Sequence, residues 1–375
     1  MRILYWGTYD IGKPRIRLLR EGLRSNDVVL NEIHTNIWEG IEDKSQLRGF
    51  GQKLRILLRW LFSYPRMLWQ LARAERPDLI MVGFPGVLDV LLAAPVARFR
   101  GIPLVWDMFM SIYDTVVEDR KLLRKKGLPA KVLHAVERFA LLRADLVFLD
   151  THAHARRVEK LFGIETGTFG AVWVGAESAH FHPVPSKPAS FDTLSVLFYG
   201  QFIPLHGIET IVQAARLTRD EPIEWQLIGK GQEADRVGAL IAEQPLSKLR
   251  WDAWVDYAQL PGRIASVDVC LGIFGTTEKA ASVIPNKVFQ IVAMGKPLIT
   301  RDSPAIRELL DEAFPCVQLI SPADPEALAQ AVRACAREKA SMNLHCHKAL
   351  QNKLGSEAIG QQCISLFTSH FELGL

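Results

Sequence analysis

The sequence predicts an α/β protein of two doubly wound domains, each built on a parallel sheet. Short apolar runs bounded by glycine, proline or aspartate alternate with segments of helical period, as in βα units. This alternation stops at a proline-rich stretch, residues 180–193, and then restarts. A chain of 375 residues with 49% hydrophobic content is also long enough to fill two cores.

The predicted strands fall into two sets, one on each side of the proline-rich stretch. Those of the first half are residues 3–6, 28–34, 79–82, 104–106 and 146–149. Those of the second half are residues 196–199, 225–228, 269–273, 298–300 and 317–320. We therefore expect one domain over residues 1–183, a second over 194–343, and a helical segment over 344–375 that can pack back on the first domain.

Composition excludes several classes of protein. Aromatic content of 9% and charged content of 23% are ordinary for a globular chain and argue against a disordered or fibrous one. The net charge of +4 is uneven, because residues 1–185 carry 27 basic and 20 acidic side chains while the remainder carries 18 and 21. The first half is therefore the basic one.

The absence of targeting patterns and the spacing of the cysteines predict a protein of the cytoplasm. The amino-terminal apolar run is too short for a signal peptide, and the run 87–97 contains Asp89 and Pro95, so we expect no membrane span. The five cysteines show no CxxC pair or disulfide framework, and His345–His347 is better read as surface helix than as a metal site. We expect a reducing, cytoplasmic environment, with peripheral contact to the inner face of the membrane left open.

Polar loops after strands are where ligands of such sheets bind. Neither a GxGxxG fingerprint nor a P-loop occurs in the sequence. Instead, Pro285 suits the first position of a helix, and Ile284 before it has no side chain that could cap the helix. The free backbone amides at this helix start, together with Lys287, could therefore bind an anion. Asn286 and Gln290 lie on one face of the same helix. A plain helix between Pro285 and a terminal glycine is the alternative interpretation. Similar polar loops occur at residues 200–207 and 229–232.

With these loops the chain resembles glycosyltransferase family 4. The motifs that carry the resemblance are Ala176–Pro183, Tyr199-Gly200 with His206-Gly207, Ile228–Gly231, Ala265–Val269 and Ala293–Pro297. The resemblance implies a GT-B fold, with two Rossmann-like domains facing across a cleft. It also implies a retaining transferase that moves a sugar from a nucleotide-diphosphate donor to a hydroxyl acceptor, such as a lipid-linked or cell-surface glycan precursor of polysaccharide biosynthesis.

The chain departs from the family at positions that bear on activity. Gln201 and His206 stand where the family usually has arginine and lysine, and Ser282 and Gln290 stand where it has two glutamates. Gln290 can still bind a ribose hydroxyl, but as a neutral group it forms a weaker bond than a carboxylate does. A catalytically silent nucleotide-sugar-binding protein is therefore the main alternative, and a sugar-nucleotide epimerase the second.

The donor, by this resemblance, is a UDP- or GDP-linked sugar, with base and ribose near residues 253–255 and Gln290 and the sugar near residues 275–277. Arg15 or Arg17 is expected to help bind the diphosphate across the cleft. The candidate donor-binding residues are Gly12, Arg15, Gly200, Gln201, His206, Gly229, Lys230, Gly231, Trp254, Val255, Gly275, Thr276, Thr277, Ser282, Asn286, Lys287 and Gln290.

On the acceptor side, the segment after Trp106 is rich in acids. Asp107 and Asp114 are the candidates for orienting the acceptor hydroxyl, and surface charge or helix capping is the alternative. No DxD triplet occurs, so we expect neither a metal nor any other cofactor. The expected retaining reaction needs no enzyme nucleophile, and no Ser-His-Asp set is evident.

A basic segment could provide a further partner. Residues 44–76 contain eight lysines or arginines and one acid, with a stripe of Leu47, Phe50, Leu54, Leu57, Leu58 and Leu61 and two tryptophans, Trp60 and Trp69. Such a helix suits an anionic membrane surface, and a layer helix that buries its leucines against the sheet is the equal alternative. Nucleic acid is not expected, because the cations accompany leucines rather than a recognition module.

Overall fold

A computed structural model describes residues 1–37, 50–184, 192–310, 314, 316–339 and 346–372, with the backbone alone for residues 50–57. The chain divides into two compact units. The first comprises Met1–Trp173 together with Ser356–Leu375, and the second comprises Val174–Gly355. The division after Trp173 precedes the predicted linker, of which residues 185–191 lie outside the described part.

The first unit is a parallel sheet covered on both faces. Its strands are β1 (Arg2–Gly7), β2 (Val29–His34), β3 (Leu79–Val82), β4 (Leu104–Phe109), β5 (Leu146–Leu149) and β6 (Gly170–Ala171). Its helices are α1 (Pro14–Ser25), α2 (Phe50–Arg73), α3 (Val87–Arg100), α4 (Leu128–Leu141), α5 (His152–Phe162) and a carboxyl-terminal helix, Ser356–Phe371, with a π-helical turn at Asp114–Asp119.

The strand order of this sheet, β2-β1-β3-β4-β5-β6, determines which helices share a face. Because crossovers between parallel strands are right-handed, the connections that run toward β6 lie on one face and the return to β2 lies on the other. Accordingly, side chains of α2 to α5 join one core cluster and those of α1 join the other with the carboxyl-terminal helix. Strands β1, β3, β4 and β5 are buried and therefore consist of largely apolar residues, whereas the edge strand β2 is partly exposed.

The second unit repeats this plan. Its strands are β7 (Leu194–Tyr199), β8 (Ile223–Ile228), β9 (Leu249–Asp252), β10 (Val269–Leu271), β11 (Leu298–Arg301) and β12 (Val317–Ile320), in the order β12-β11-β10-β7-β8-β9. Its helices are α6 (Ile208–Leu217), α7 (Ala234–Glu243), α8 (Leu260–Ala265), α9 (Glu278–Ser282), α10 (Asn286–Ala293), α11 (Pro325–Glu338) and α12 (Lys348–Gln351). The carboxyl-terminal helix of the first unit is thus α13.

Helix α13 returns to the first unit and packs against α1. The two helices cross at glycines, since a Cβ built on Gly22 would lie 2.0 Å from the carbonyl oxygen of Ser356, and one on Gly360 would lie 2.1 Å from that of Gly22. The Asn26 side chain also donates to the carbonyl of Glu357 (2.9 Å). The expected packing of a carboxyl-terminal helix on the first domain therefore occurs within this unit.

The predicted fold class is confirmed by the two parallel sheets. Strands β6 and β9 were missed, since one is two residues long and the other, Leu-Arg-Trp-Asp, lacks an apolar run. The polar stretch before Pro285 also contains a short helix, α9, that the pattern did not predict. Helix α10 ends as predicted, with Gly295 at φ +67° just beyond it.

The prediction of no disulfide is wrong for one pair. Cys316, directly before β12, is bonded to Cys346, with an S–S distance of 2.14 Å and Cα atoms 6.0 Å apart. The two residues are 30 positions apart, so only the fold brings them together, and sequence spacing could not indicate the bond. Cys270, Cys335 and Cys363 are buried free thiols.

The described residues offer neither a membrane span nor a metal site. No helix among them has the length and apolar content needed to cross a bilayer. No group of three or more histidine, cysteine or acidic side chains among them is arranged to hold a metal ion. Of the segment His345–His347, His345 lies outside the described residues, while His347 is buried and bonded through Nε2 to the Lys296 carbonyl (2.9 Å).

Candidate functional site

Loops at the carboxyl edge of the second sheet meet through glycines. Gly229, after β8, has φ +155°, and a Cβ there would lie 1.9 Å from the Gly200 carbonyl oxygen after β7. A Cβ on Gly231 would lie 2.7 Å from the Phe202 oxygen. Only glycine allows both the backbone angle and the close approach. The structure therefore brings together two of the predicted polar loops.

The loop after β10 joins the same group. Phe274 N donates to the His206 carbonyl (3.0 Å), and Gly275 N donates to the Leu205 carbonyl (3.2 Å). The Arg301 guanidinium donates to the Gly275 carbonyl from β11. Thr276 is exposed at the tip of this loop. The predicted sugar-binding residues thus lie beside the loop that follows β7.

Helix α9 uses two of the predicted donor-binding hydroxyls. Thr277 caps the helix, because its Oγ1 accepts from the Ala280 amide (3.1 Å). Ser282 is buried and donates its hydroxyl hydrogen to the Glu278 carbonyl (2.7 Å). Both oxygens therefore have a role inside α9 already.

Lys287 lies in the first turn of α10 and is 5% exposed. Its Nζ has no hydrogen-bond partner among the described residues and lies 3.6 Å from the centroid of the Phe198 ring. Burial lowers the pKa of this ammonium group well below its usual value. A Cβ on Gly200 would lie 3.0 Å from Nζ and 3.1 Å from His206 Cε1. A buried amino group that has no hydrogen-bond partner in the described part of the chain thus faces the glycine loop after β7.

The amino end of α10 adds backbone donors to this lysine. The first amides of a helix have no intrahelical carbonyl to bind and carry the positive end of the helix dipole. Pro285 caps without a side-chain bond, and Asn286 is partly exposed beside it. This combination of free amides and a cation is suited to an anion such as phosphate.

Gln290 is held from both ends of its amide. Its Oε1 accepts from the Tyr199 hydroxyl (3.1 Å), and its Nε2 donates to the Tyr257 hydroxyl (3.4 Å). Tyr257 in turn donates to Glu177 Oε2 (2.6 Å). The Gln290 amide is therefore fixed in orientation, and its hydrogen bond to Tyr257 continues to the Glu177 carboxylate.

An exposed tryptophan marks the far side of the same edge. Trp254, after β9, is 58% exposed, and Lys230 Nζ lies 4.9 Å from its ring centroid. Val255 is partly exposed beside it. Gln201 is exposed after β7, and its main-chain carbonyl accepts from His206 Nδ1. A flat exposed ring next to a cation is a suitable surface for a nucleobase.

The structure places Asp107 and Arg15 together inside the first unit. Asp107 is fully buried on β4, and Arg15 Nε donates to its Oδ1 (2.8 Å) while Arg15 Nη1 donates to the Val172 carbonyl (3.0 Å). Burial raises the pKa of the Asp107 carboxyl, and the Arg15 charge opposes that rise. The interpretation of Asp107 as surface charge is wrong, and Arg15 is held in a buried pair, which favours a structural role. Their predicted roles toward acceptor and donor stay predictions.

Asp114 is likewise buried and paired. Arg157 Nη2 donates to its Oδ1 (2.6 Å), and His154 Nε2 lies 3.9 Å from its Oδ2. The other ring nitrogen of His154 contacts Asp150 Oδ1 at 2.6 Å. Asp114 is therefore neither a surface charge nor exposed to solvent, and its predicted catalytic role also stays a prediction.

The loop after β1 is organised by two aspartates. The Gly12 amide donates to Asp10 Oδ1 (2.9 Å). Asp89 from α3 accepts from the Thr8 amide (3.0 Å) and the Tyr64 hydroxyl (2.8 Å), and burial raises its pKa to about 6. Gly12 thus belongs to a tight turn of the first unit, whereas Lys287 belongs to the second, and the predicted donor-binding role of Gly12 stays a prediction.

Several residues of these groups were not predicted. They are Phe198 beneath Lys287, Tyr199, Tyr257 and Glu177 around Gln290, and Asp150, His154 and Arg157 around Asp114. A partial signal existed for two of them, since Tyr199 and Glu177 lie in the motifs that carry the family resemblance. The contacts of Phe198, Tyr257 and Arg157 join distant parts of the chain, whereas Asp150 and His154 are only four residues apart.

The basic segment is described only in part. Residues 44–49 lie outside the described residues, as do the side chains of residues 50–57. In the remainder of α2, Tyr64, Met67 and Leu71 are buried, whereas Leu58 and Leu61 are 42% and 63% exposed. Phe62 and Trp69 are also exposed. For these two leucines the interpretation as a stripe buried against the sheet is wrong.

Two family models match this chain. The model for glycosyl transferases group 1 matches residues 193–338, which lie in the second unit. The model for a glycosyl transferase 4-like domain matches residues 44–167, which lie in the first.

Two curated relatives are similar in sequence. The probable glycosyltransferase WbjE of Pseudomonas aeruginosa is 26% identical over 283 residues, which are 70% of this chain and 66% of that protein. The putative colanic acid biosynthesis glycosyl transferase WcaI of Escherichia coli K12 is 26% identical over 284 residues, 70% of this chain and 67% of that one. The chain therefore spans about two thirds of the length of these relatives.

Solved structures share the fold. Anabaena HepE in complex with UDP gives a TM-score of 0.69 at 14% identity, covering 98% of this chain and 100% of that chain. Sucrose-phosphate synthase from Thermosynechococcus elongatus gives a TM-score of 0.71 at 17% identity, covering 99% of both chains. At these identities the likeness shows the fold alone.

Proposed function

We propose that this chain transfers a sugar from a nucleotide-diphosphate donor to a hydroxyl group of a glycan or lipid-linked acceptor. The proposal follows from its membership of the family 4 glycosyltransferases of GT-B fold. The names of WbjE and WcaI, the second a colanic acid biosynthesis enzyme, support a role in polysaccharide assembly. The UDP and UDP-glucose complexes of Anabaena HepE support a UDP-linked donor, with GDP as the alternative.

The environment of Lys287 is the main evidence for the donor site. Its Nζ is buried, has no hydrogen-bond partner among the described residues and lies next to the helix start of α10 and the glycine loop after β7. An unpartnered buried cationic group is costly to the fold unless a ligand completes it. A diphosphate would supply oxygens to Nζ and to the first amides of α10. Gln290 and Trp254 would then contact ribose and base.

The transfer would proceed with retention of configuration and without a metal. The bond between the anomeric carbon and the donor phosphate oxygen breaks, the acceptor oxygen forms its bond on the same face, and the departing phosphate takes the hydroxyl proton. Negative charge grows on the diphosphate as it leaves, so Lys287 and the helix amides stabilise the transition state more than the ground state. No cofactor beyond the donor is required by this scheme.

A catalytically silent, nucleotide-sugar-binding protein is the second candidate function. Gln290 favours it, because its amide is held by Tyr199 and Tyr257 and offers no carboxylate. An epimerase is the third candidate. Product analysis with a nucleotide sugar separates the three: nucleoside diphosphate with a new glycoside indicates transfer, an altered free sugar indicates epimerisation, and binding without turnover indicates the silent form.

The donor site is tested by thermal-shift titration with UDP, GDP and ADP and their sugars. We expect one nucleotide series to raise the Tm of the parent. Lys287→Ala should weaken that binding at least about tenfold, since hydrogen bonds to charged groups contribute about 1.5–3 kcal/mol. Lys353→Ala, at an exposed lysine of the same unit, is the matched control. Unchanged affinity in Lys287→Ala would rule this site out.

A cytoplasmic position at the inner face of the membrane belongs to the same proposal. Leu58, Leu61, Phe62 and Trp69 of α2 are exposed among arginines, which suits an anionic bilayer surface. A lipid-linked acceptor would be reached from such a position. Flotation with and without anionic lipid tests it, and absence of binding to either kind of vesicle would end the membrane part of the proposal.

A further inference from the structure

A second apolar surface, which the sequence patterns did not reveal, lies on α4. Leu128, Val132, Phe139 and Leu142 are 74%, 52%, 49% and 55% exposed, and Ala135 is exposed between them. These positions are spaced four, three, four and three residues apart, so they form one continuous stripe along the helix. We call these five residues the α4 stripe. It runs the full length of the helix, about 21 Å at 1.5 Å per residue.

The core does not need this stripe. Helix α4 already packs on the sheet through its opposite side, where Ala130, Ala140 and Leu141 are buried. Glu137 is also buried there and accepts from the amides of Ile112 and Tyr113, both at 2.8 Å. The helix is thus apolar on two sides, one facing its own core and one facing solvent. A contiguous exposed apolar surface of this kind marks an interaction site.

Cations surround the α4 stripe. Residues 120–143 contain eight lysines or arginines and a single acid, the buried Glu137. Four of these cations lie in the stretch just before the helix, namely Lys121, Arg124, Lys125 and Lys126. Within and just after the helix, Lys131 and Arg138 flank the stripe, and the Arg143 guanidinium lies 4.5 Å from the centroid of the Phe139 ring.

The positive charge around the α4 stripe indicates which kind of partner this surface binds. A second copy of this chain bound through the same face would bring the two sets of cations together in a two-fold interface, which is electrostatically unfavourable. A nucleic acid would meet four aliphatic side chains and the single aromatic ring of Phe139, where several stacking or hydrogen-bonding groups are needed. An anionic lipid bilayer offers phosphates to the cations and an apolar interior to the stripe.

We propose that α4 docks with its stripe on an anionic membrane surface. Leu128, Val132, Phe139 and Leu142 enter the boundary between head groups and acyl chains, and the cations of residues 120–143 contact the phosphates. This surface differs from residues 44–76, although α2 and α4 cover the same face of the sheet. It also does not depend on nucleotide binding, which can be measured without vesicles.

Vesicle flotation tests the proposal on the full chain. The parent should float with vesicles of phosphatidylcholine containing phosphatidylglycerol, and binding should weaken as salt is raised. Leu128→Ser with Phe139→Ser should weaken binding at least about tenfold by removing exposed apolar contact. Lys125→Gln with Lys126→Gln and Lys131→Gln should weaken it about a hundredfold on anionic vesicles. Leu217→Ser, at a leucine 43% exposed at the end of α6, is the matched control and should bind as the parent does.

Three outcomes would overturn the proposal. The first is unchanged flotation of both α4 variants, and the second is loss of binding with Phe62→Ser and Trp69→Ser in α2 but not with the α4 variants. The third is a parent that sediments as a dimer and becomes monomeric in Leu128→Ser with Phe139→Ser. Because all the substituted side chains are exposed, each variant should unfold at the parent's Tm. Nucleotide titration of the same variants distinguishes a wrong membrane proposal from a wrong donor-site proposal, because nucleotide binding is measured without vesicles.

Discussion

Arg15 and Asp107 form an ion pair that is sealed inside the first unit, with exposures of 2% and 0% and an Nε–Oδ1 distance of 2.8 Å. The guanidinium also lies 5.0 Å from the centroid of the Phe109 ring. The pair thus ties the start of α1 to the end of β4. A buried charge that loses its partner is far more costly than one that keeps it.

Asp107→Asn should therefore destabilise the first unit by about 3–5 kcal/mol, because Arg15 keeps its charge without a counter-charge. Urea unfolding followed by circular dichroism measures this. Asp27→Asn is the control, since Asp27 is exposed at φ +58° where asparagine is well tolerated. A variant with parental stability but no turnover would instead support the predicted catalytic role of Asp107.

Lys287→Met should stabilise the protein in the absence of nucleotide, by about 1–3 kcal/mol at pH 7, because it removes the desolvation cost of an unpartnered buried ammonium group. The pKa of Lys287 is lower in the folded state than in the unfolded chain, so at neutral pH the unfolded chain binds more protons than the folded one. The parent therefore gains stability as the pH rises toward the usual lysine pKa. The difference between parent and variant should accordingly shrink between pH 7 and pH 10. Lys353→Met is the control, and a difference independent of pH would contradict this prediction.

Glu137 should make stability depend on pH with the opposite sign. Burial raises its pKa to about 7 from the usual 4.5, so the folded state binds more protons than the unfolded chain between these values. Its contribution to the free energy of unfolding should fall by about 3 kcal/mol as pH rises from 4.5 to 7. Glu137→Gln removes this titration, and its unfolding should lose that part of the pH dependence. Parallel curves for parent and variant would refute the assignment.

Strands β3 and β5 could be predicted because parallel strands buried on both faces are continuous apolar runs. Their bounds match the predicted ones, as do those of the partly exposed β12. The polar loops that lie together in the second unit could be selected because ligands of such sheets bind at the carboxyl ends of strands, and their role in donor binding stays a prediction. The position of Lys287 above Phe198, the Cys316–Cys346 bond and the burial of Asp107 could not be predicted. Each depends on contacts between side chains distant in sequence, which no local period encodes.

Gly360→Ala should loosen α13 from α1. A Cβ on Gly360 would lie 2.1 Å from the Gly22 carbonyl oxygen and 2.2 Å from its carbon, and both atoms belong to the backbone, so the helices must move apart. We expect a loss of about 1–3 kcal/mol, as for other overpacked contacts, and faster proteolysis at the carboxyl terminus. Gly262→Ala is the matched control, because its Cβ would meet nothing within 4 Å and alanine favours the helix by about 0.5–1 kcal/mol. Equal proteolysis of parent and Gly360→Ala would show that this crossing does not hold α13 in place.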